Sequence, residues 1–416
     1  MERRRVAITG MGTVNPLGNN VETAWEAVKA GRCGIGPITH FDTTDFRVKL
    51  AGEVRDFHAE ELLGAKDARR MDLFTQYACA AAKEAMEDAQ LVMEDEDADR
   101  CGCIVASGIG GLSTIANEHV KGLEKGYNRI SPFFIPMSIS NMAAGQIALK
   151  YGLKGLCTCV VTACASSNHA IGDAFHRIRD GYEDVMVCGG SEAVVMDLAM
   201  AGFQAMKALS HAEDPNRASI PFDKERAGFV MGEGAAILVL EEAEHARRRG
   251  AKIYAEIAGY GANCDAYHMT APDPEGNGGA KCMALAVADA AMRPEEIDYI
   301  NAHGTGTHLN DAGETLAIKR AFGAHAERLC VSSTKSMTGH LLGGAGAVEA
   351  VFTALALRDG FVPATINYRE KDPDCDLDIV PNEGRHQELH AALSNALGFG
   401  GHNASLVFRK AEEGWN

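Results

Sequence analysis

Apolar runs of strand length alternate with stretches of helical period along nearly the whole chain. RVAITGMG within residues 4–12 precedes a helical pattern around TAWEAVKAG, CGCIVASG at 101–108 precedes one at 112–126, and CTCVV at 157–161 precedes a third, which DVMVCGG at 184–190 follows. Continuous β-branched runs set between helices predict βαβ units and a largely parallel sheet covered on both faces. Near residue 252 the pattern begins again. KIYAEIAGYGANCDA, like the opening run, is a strand that reaches a Gly-x-Gly; after it come a helix at 277–292, the strand IDYINA, a helix at 311–322, the strand LCVSS and a helix at 345–357. Two similar halves are expected, residues 1–251 and 252–416, linked by the charged segment EEAEHARRRG at 241–250, which reads as a surface helix. No flexible linker separates them, so they are expected to share one interface.

Length and composition narrow the class. At 416 residues the chain exceeds the usual span of a single hydrophobic core. Its 45 glycines are scattered, as expected of many tight strand-to-helix turns. With 57 acidic against 40 basic residues the formal net charge is −17, which disfavours nonspecific binding to nucleic acid or to an anionic membrane. The first apolar run is broken at Thr9 and Gly10, too early for a signal segment, and no run approaches the roughly 18 apolar residues of a membrane helix, so the expected location is the cytoplasm. Twelve cysteines lie singly or as C-x-C within apolar runs, without C-x-x-C or H-E-x-x-H spacing, and eleven read as reduced core residues.

The exception is Cys164, in VVTACASSNHAIGDAF. Downstream, Ala170, Ile171, Ala174, Phe175 and Ile178 recur at helical spacing, Gly181 suits a C-terminal stop, and Ser166, Ser167 and Asn168 suit an N-cap. Cys164 thus falls between a buried strand and a helix start, where the helix dipole and free backbone N–H groups favour thiolate and the small Ala163 and Ala165 admit a carbonyl. A small core cysteine would fit the same stretch. Two histidine loops favour chemistry: His303 in NAHGTGT follows IDYINA, and His340 in STKSMTGHLLGGAG, with Lys335, follows LCVSS, both at strand ends where open α/β sheets place their sites. Zinc fits poorly, because His303 and His308 are five apart and no carboxylate clusters with His340. GMGTVN lacks the third glycine of a dinucleotide fingerprint, and neither a Walker lysine nor a G-x-S-x-G is present.

Five motifs in order, TACASS around Cys164, GFVMGEGA from Gly228, NAHGTGT around His303, KSMTGHLLGGAGAVE from Lys335 to Glu349, and GFGGHNAS from Gly398, resemble those of the β-ketoacyl-(acyl-carrier-protein) synthases, the type II elongating condensing enzymes, over essentially the whole chain. The resemblance implies a thiolase-like α/β fold, two βαβ-based halves in a layered α-β-α-β-α arrangement. It implies acyl transfer from acyl carrier protein to Cys164, decarboxylation of malonyl carrier protein, and condensation to a 3-oxoacyl product two carbons longer. It implies no cofactor, since substrates ride on the carrier's phosphopantetheine, and a homodimer.

Residue by residue, the resemblance makes His303 and His340 neutral donors to the enolate oxygen, Lys335 an electrostatic group paired with Glu349, and the backbone N–H groups of Cys164 and Phe399 an oxyanion hole. Thr305 and Thr307 match phosphopantetheine-binding positions, Phe399 a gate, and Ile109, Phe134 and Phe203 an acyl pocket. Lys66, Arg69, Arg70, Arg129 and Lys207 are the candidate docking patch for an acidic carrier. Plainer readings stand beside these: a structural ion pair, turn-capping threonines, packed aromatics, core residues, a solvated helix face. The chain departs from the family pattern at Ile220, usually arginine, and at Ala396 and Leu397, where Ser-Phe is common, which bears on chain length and loop geometry. A stand-alone polyketide ketosynthase shares every motif; a non-catalytic chain-length partner would lack the cysteine, and a cysteine hydrolase would cleave thioesters without consuming malonyl groups.

Overall fold

The computed structural model describes residues 3–412. Within them β1 (Val6–Val14), β2 (Cys101–Ala106), β3 (Cys157–Thr158), β4 (Val185–Glu192) and β5 (Gly234–Glu242) are followed by β6 (Ala255–Cys264), β7 (Tyr299–Asn301), β8 (Cys330–Ser332), β9 (Ala391–Gly398) and β10 (His402–Lys410). These strands form one sheet in the order β8-β7-β9-β10-β6-β1-β5-β4-β2-β3. From either edge inward, each set of five runs third, second, fourth, fifth, first, so the later strands repeat the topology of the earlier ones. The sets meet where β1 pairs with β6, Val6 opposite Ile257 and Ile8 opposite Ala255.

The sheet is mixed rather than largely parallel. In each set the outer three strands pair parallel and the inner ones antiparallel. Apolar runs carry no sign of strand direction. The reversals come from the long excursion of residues 193–233 between β4 and β5 and from the short turn between β9 and β10.

The longer helices are α1 (Val21–Lys29), α2 (Leu73–Ala89), α3 (Leu112–Lys125), α4 (Met142–Tyr151), α5 (Ser166–Arg179), α6 (Asp197–Ala205), α7 (Asn277–Asp289), α8 (His308–Phe322) and α9 (Ala345–Asp359). α5 and α9 touch strands of both sets, including β4, β5 and β10, and form the middle layer. α2 covers β1, β4 and β5 on one outer face, while α7, backed by α8, covers β6 and β10 on the other. The result is α-β-α-β-α. α9 is buried from Ala345 to Leu357 on every side, as a helix between the two strand sets must be, and its sequence AGAVEAVFTALAL is apolar all round except for Glu349 and Thr353.

The repeated Gly-x-Gly is a packing device. A Cβ at Gly10 or Gly12 of β1 would lie 2.2 or 2.0 Å from a backbone oxygen of α2, and one at Gly259 or Gly261 of β6 would lie 2.3 or 2.2 Å from a backbone oxygen of α7. Both first strands thus admit a helix at the same place.

Two elements differ from the sequence pattern. CTCVV forms only the two-residue edge strand β3, with β2 as its one neighbour and Cys157 exposed. EEAEHARRRG is not all surface helix: β5 extends through Glu242, the helix is Ala243–Arg248, and Glu241 is fully buried. Against the cost of burial, Arg249, His245 and Thr9 hold Glu241 down at about 2. Charge alone therefore misread a buried, fully partnered carboxylate as solvated.

Gly12→Ala, whose new methyl meets the Ala81 carbonyl at 2.0 Å, is expected to lower the free energy of unfolding in urea by about 1–3 kcal/mol or more. Gly202→Ala in α6, where a Cβ meets nothing within 4 Å, is expected to be neutral or to stabilise by up to about 1 kcal/mol. Equal stabilities of the two variants would contradict the close helix–strand packing.

Candidate active site

Cys164 sits in the one-turn 3-10 helix Ala163–Ala165 that leads into α5. Ala163 has φ 50°, a left-handed conformation that costs a residue with a Cβ about 1–2 kcal/mol. Local bonds hold it: Ser166 Oγ donates to the Ala163 carbonyl at 2.6 Å and accepts from the Thr162 amide at 2.8 Å. The expected capping by Ser166, Ser167 and Asn168 does not occur, since the N-cap is Ala165 and makes no side-chain bond. Instead Ser167 Oγ donates to the Gly343 carbonyl, and Asn168 Nδ2 donates to the carbonyls of Ser394 at 3.2 Å and Ala404 at 3.3 Å. These polar residues tie the cysteine turn to the other half of the sheet.

His303 follows β7 directly, and its amide and that of Gly304 donate to the Glu314 carboxylate on α8, each at 2.8 Å. His340 lies farther from its strand, past the short helix Lys335–Thr338. Its amide donates to the Val230 carbonyl at 2.7 Å, and its carbonyl accepts from the Gly232 amide at 2.9 Å. The two imidazoles meet edge to face at 5.2 Å, and His340 rests on Phe229 at 5.3 Å.

Cys164, His303 and His340 are buried, with ligand-capable atoms within 4.8 Å of one another. They line a cavity of about 340 Å³ together with Phe203, Lys207, Thr305, Thr307, Leu342 and Phe399. Burial dominates its electrostatics. It pushes the Cys164 thiol up to about 12, although Lys335 and the amides of Phe399 and Cys164 pull the other way. Burial also drives both imidazoles well below their usual value, and Lys335 adds to the effect. The thiolate expected from the helix start is therefore not the resting form, because desolvation outweighs dipole and amides in so enclosed a place. Lys335 pairs with Glu349, both buried; burial raises Glu349 to about 7 against the ammonium. The Cys-His-His trio could in principle ligate zinc, but Lys335 places positive charge on the same three groups and opposes a dication there.

Residues 3–246 match the family model described as β-ketoacyl synthase, N-terminal domain, and residues 254–369 match its C-terminal domain. The chain belongs to the β-ketoacyl synthase family. It is 51% identical over 411 residues to a 3-oxoacyl-[acyl-carrier-protein] synthase 2 of Synechocystis sp., and 52% identical over 411 residues to one of Staphylococcus aureus, covering 99% of each chain in both cases. Among solved structures it resembles the ishigamide ketosynthase/chain length factor (TM-score 0.93, 39% identity, 99% of this chain and 100% of that one). It also resembles a β-ketoacyl synthase from Burkholderia phymatum (0.90, 37%, 98% and 100%). A third likeness is to a type II polyketide ketosynthase in complex with its acyl carrier protein (0.89, 36%, 99% and 100%).

The remaining sequence-predicted residues of this β-ketoacyl synthase fall into three groups. Thr305, Thr307, Phe399 and Lys207 line the cavity, and Ile109 and Phe203 pack in the apolar cluster that contains Cys164. Thr307 makes no capping bond to α8; its hydroxyl lies 3.0 Å from that of Thr305. A Cβ at Gly398 would stand 3.2 Å from the Cys164 amide, so the turn bearing Phe399 presses on the cysteine turn. Phe134 is the exception: it lies in the short helix Phe134–Ser138, neither on the cavity wall nor in the Cys164 cluster. Lys66, Arg69, Arg70 and Arg129 are exposed, Arg69 pairing with Glu60 at 3.3 Å and Arg70 lying 4.8 Å over the Phe133 ring. Leu397 lines the cavity, while Ile220 and Ala396 are buried.

Sequence reasoning missed Phe229 and Leu342 on the cavity wall and the buried carboxylates Glu192 and Glu314 beneath it. The signal for Glu192 was present as an acid closing an otherwise apolar strand, VMVCGGSE.

Iodoacetamide modification of Cys164, followed by mass spectrometry of its peptide, is expected to accelerate with pH between about 6 and 10, as a thiol raised by burial requires. A rate already flat above neutral pH would reveal a resting thiolate.

Proposed function

We propose that this chain is an elongating 3-oxoacyl-(acyl-carrier-protein) synthase of fatty-acid synthesis, and that Cys164, His303 and His340 carry its two half-reactions. The observation that carries the reading is the convergence of a thiol and two neutral imidazoles in one buried cavity. In the first half-reaction the Cys164 sulfur attacks the carbonyl of an acyl-pantetheine thioester while its proton passes to an adjacent imidazole. The tetrahedral oxyanion accepts from the Cys164 and Phe399 amides, the C–S bond to pantetheine breaks, and the imidazolium returns its proton to the leaving thiolate.

In the second, the malonyl C–C bond breaks, CO2 leaves, and the electron pair moves into an enolate whose oxygen accepts from both histidines. The carbanion then attacks the Cys164 thioester; the sulfur departs as thiolate and takes up one proton from solvent, replacing the charge lost with CO2, and the 3-oxoacyl group leaves on its carrier. The Nδ1 atoms of His303 and His340 are buried without partners. No protein hydrogen bond at Nδ1 fixes the tautomer, so a ring can present a lone pair to the Cys164 proton in the first half-reaction and an N–H to the enolate oxygen in the second. Lys335, neutralised in part by Glu349, supports this by keeping the rings uncharged.

The fatty-acid reading is favoured over a polyketide ketosynthase because the 3-oxoacyl synthase 2 relatives stand at 51–52% identity and the type II polyketide ketosynthase structure at 36%. An acidic carrier would dock on Lys66, Arg69, Arg70, Arg129 and Lys207, of which Lys207 also stands on the cavity wall; Thr305 and Thr307 would hold its pantetheine arm. The reaction calls for no cofactor. A second copy of the chain would cover the exposed apolar residues Ile115, Leu123, Tyr127, Phe133, Ile135 and Leu149. No helix among the described residues is long and apolar enough to cross a membrane. Cytoplasmic placement accords with that and with carrier-borne substrates.

Purified protein given acyl and malonyl carriers is expected to release CO2 and a 3-oxoacyl carrier; thioester hydrolysis without malonyl consumption would sink the reading. Cys164→Ala is expected to abolish condensation while retaining malonyl decarboxylation, and His303→Ala or His340→Ala to cut decarboxylation by about 10²-fold or more. Charge reversal at Lys66, Arg69 and Arg70 should weaken carrier binding most at low salt; unchanged titration curves would discard the patch.

A further inference from the structure

Glu192, the last residue of β4, is fully buried and makes no hydrogen bond to Cys164 or to either histidine. All four acceptor positions of its carboxylate are filled. Oε1 accepts from Ser107 Oγ at 3.0 Å and the Ile109 amide at 3.1 Å; Oε2 accepts from the Gly108 amide at 2.8 Å and the Gly343 amide at 3.1 Å. Three of these donors belong to the turn after β2, which carries Ile109. The fourth belongs to the turn after His340, in which Leu342 has φ 46°. Ile109 and Leu342 both pack in the Cys164 cluster.

The turns are fitted to this carboxylate. A Cβ at Gly108 would come within 2.6 Å of Glu192 Oε2, and one at Gly343 within 2.3 Å of the Gly108 amide. From the opposite side the Gly343 carbonyl accepts from Ser167, three residues beyond the nucleophile. Glu192 therefore stands where three segments meet: the acyl-pocket turn, the histidine turn and the start of the cysteine helix.

We propose that Glu192 is a positioning residue for condensation, its carboxylate holding the Ile109 turn and the His340 turn in one register around Cys164. The proposal rests on the condensing reading given above. An acyl chain on the Cys164 sulfur meets the Ile109 side of that anchor, and a malonyl thioester meets the His340 side, so one buried group sets the geometry of both half-reactions. A glutamine there keeps the shape but aims an NH2 at the Ile109 amide or at the amides of Gly108 and Gly343, N–H donors that must then separate from it. Glu192 also acts through charge: its carboxylate pushes the Cys164 thiol upward, so neutralising it lets the thiol ionise at lower pH.

The test uses the full-length protein and three measurements: malonyl-carrier decarboxylation, condensation with acyl carriers of graded length, and the pH dependence of Cys164 modification by iodoacetamide. Glu192→Gln is expected to lower kcat for decarboxylation at least about tenfold with KM changed less than about twofold, and to move the iodoacetamide profile to lower pH. Ser107→Ala, which keeps the charge and removes one donor, is expected to lower kcat about threefold and to leave that profile unmoved. An unaltered kcat in either variant, or an unshifted profile in Glu192→Gln, overturns the proposal; should Glu192→Gln not fold, the kcat of Ser107→Ala decides. Failure of the unmodified protein to condense would instead overturn the reaction assignment, leaving the iodoacetamide profile to judge Glu192.

Discussion

Exclusion of water from around Cys164 is the constraint on which the chemistry of this protein depends. In water a thiol, two imidazoles, an ammonium and several carboxylates would titrate near their ordinary values. Enclosed together, the thiol and the carboxylates Glu192, Glu314 and Glu349 move up and the imidazoles move down. The neutral imidazole thereby becomes the stable form at the pH where the enzyme works, and a neutral ring can both accept a proton from sulfur and donate to a developing enolate. An enolate is in turn worth stabilising only where few other dipoles compete for it.

Holding such a site in shape requires backbone in costly conformations, and buried carboxylates supply much of the restraint. Glu314 receives the amides of His303 and Gly304, Glu192 those of Gly108, Ile109 and Gly343, and Asp311 those of Phe222 and Gly306. Phe222 and Leu342 have positive φ, and each is fixed at or beside its strained peptide by one of these acids. A carboxylate can gather several N–H donors from unrelated turns at once, which no apolar side chain can do. Desolvating it costs energy, and the amides that would otherwise be unsatisfied offset that cost.

The architecture follows from the same need. Cys164 belongs to the first half, and His303, His340 and Lys335 to the second, so the trio exists only because α5 and α9 are packed between both strand sets. Much of this was legible in the sequence. The strand and helix alternation located nearly every long element, the Gly-x-Gly repeat at Gly10–Gly12 and Gly259–Gly261 marked the internal duplication, and the Cys and His loops fell on the cavity. Strand direction was not legible, because the apolar period of a buried strand is the same either way; β5 and β10 therefore run against expectation. The short β3 and the buried Glu241 were misread for a related reason. Local composition cannot tell an edge from a centre, nor a solvated acid from one gripped by Arg249 and Thr9. The ionisation of Cys164 was also beyond reach, since it depends on enclosure by residues far away in the chain.

A protonated resting thiol is well suited to this reaction. Cys164 must first attack one thioester and later leave another. Attack by a thiolate grows stronger as the parent thiol's pKa rises, so a sulfur that burial pushes up to about 12 is a strong nucleophile once its proton is drawn off. An imidazole at hand can remove that proton as the carbonyl arrives, which confines the thiolate to the moment of transfer. Between turnovers the proton stays on sulfur and the group resists oxidation and stray alkylation. Departure in the second step is the harder half for such a sulfur, and there the Lys335 charge and the Phe399 amide, both of which favour the anionic form, act in the needed direction. The site thus keeps the thiol quiet by burial and makes its anion accessible by a few fixed charges and dipoles, a division that neither the helix start nor the histidines could achieve alone.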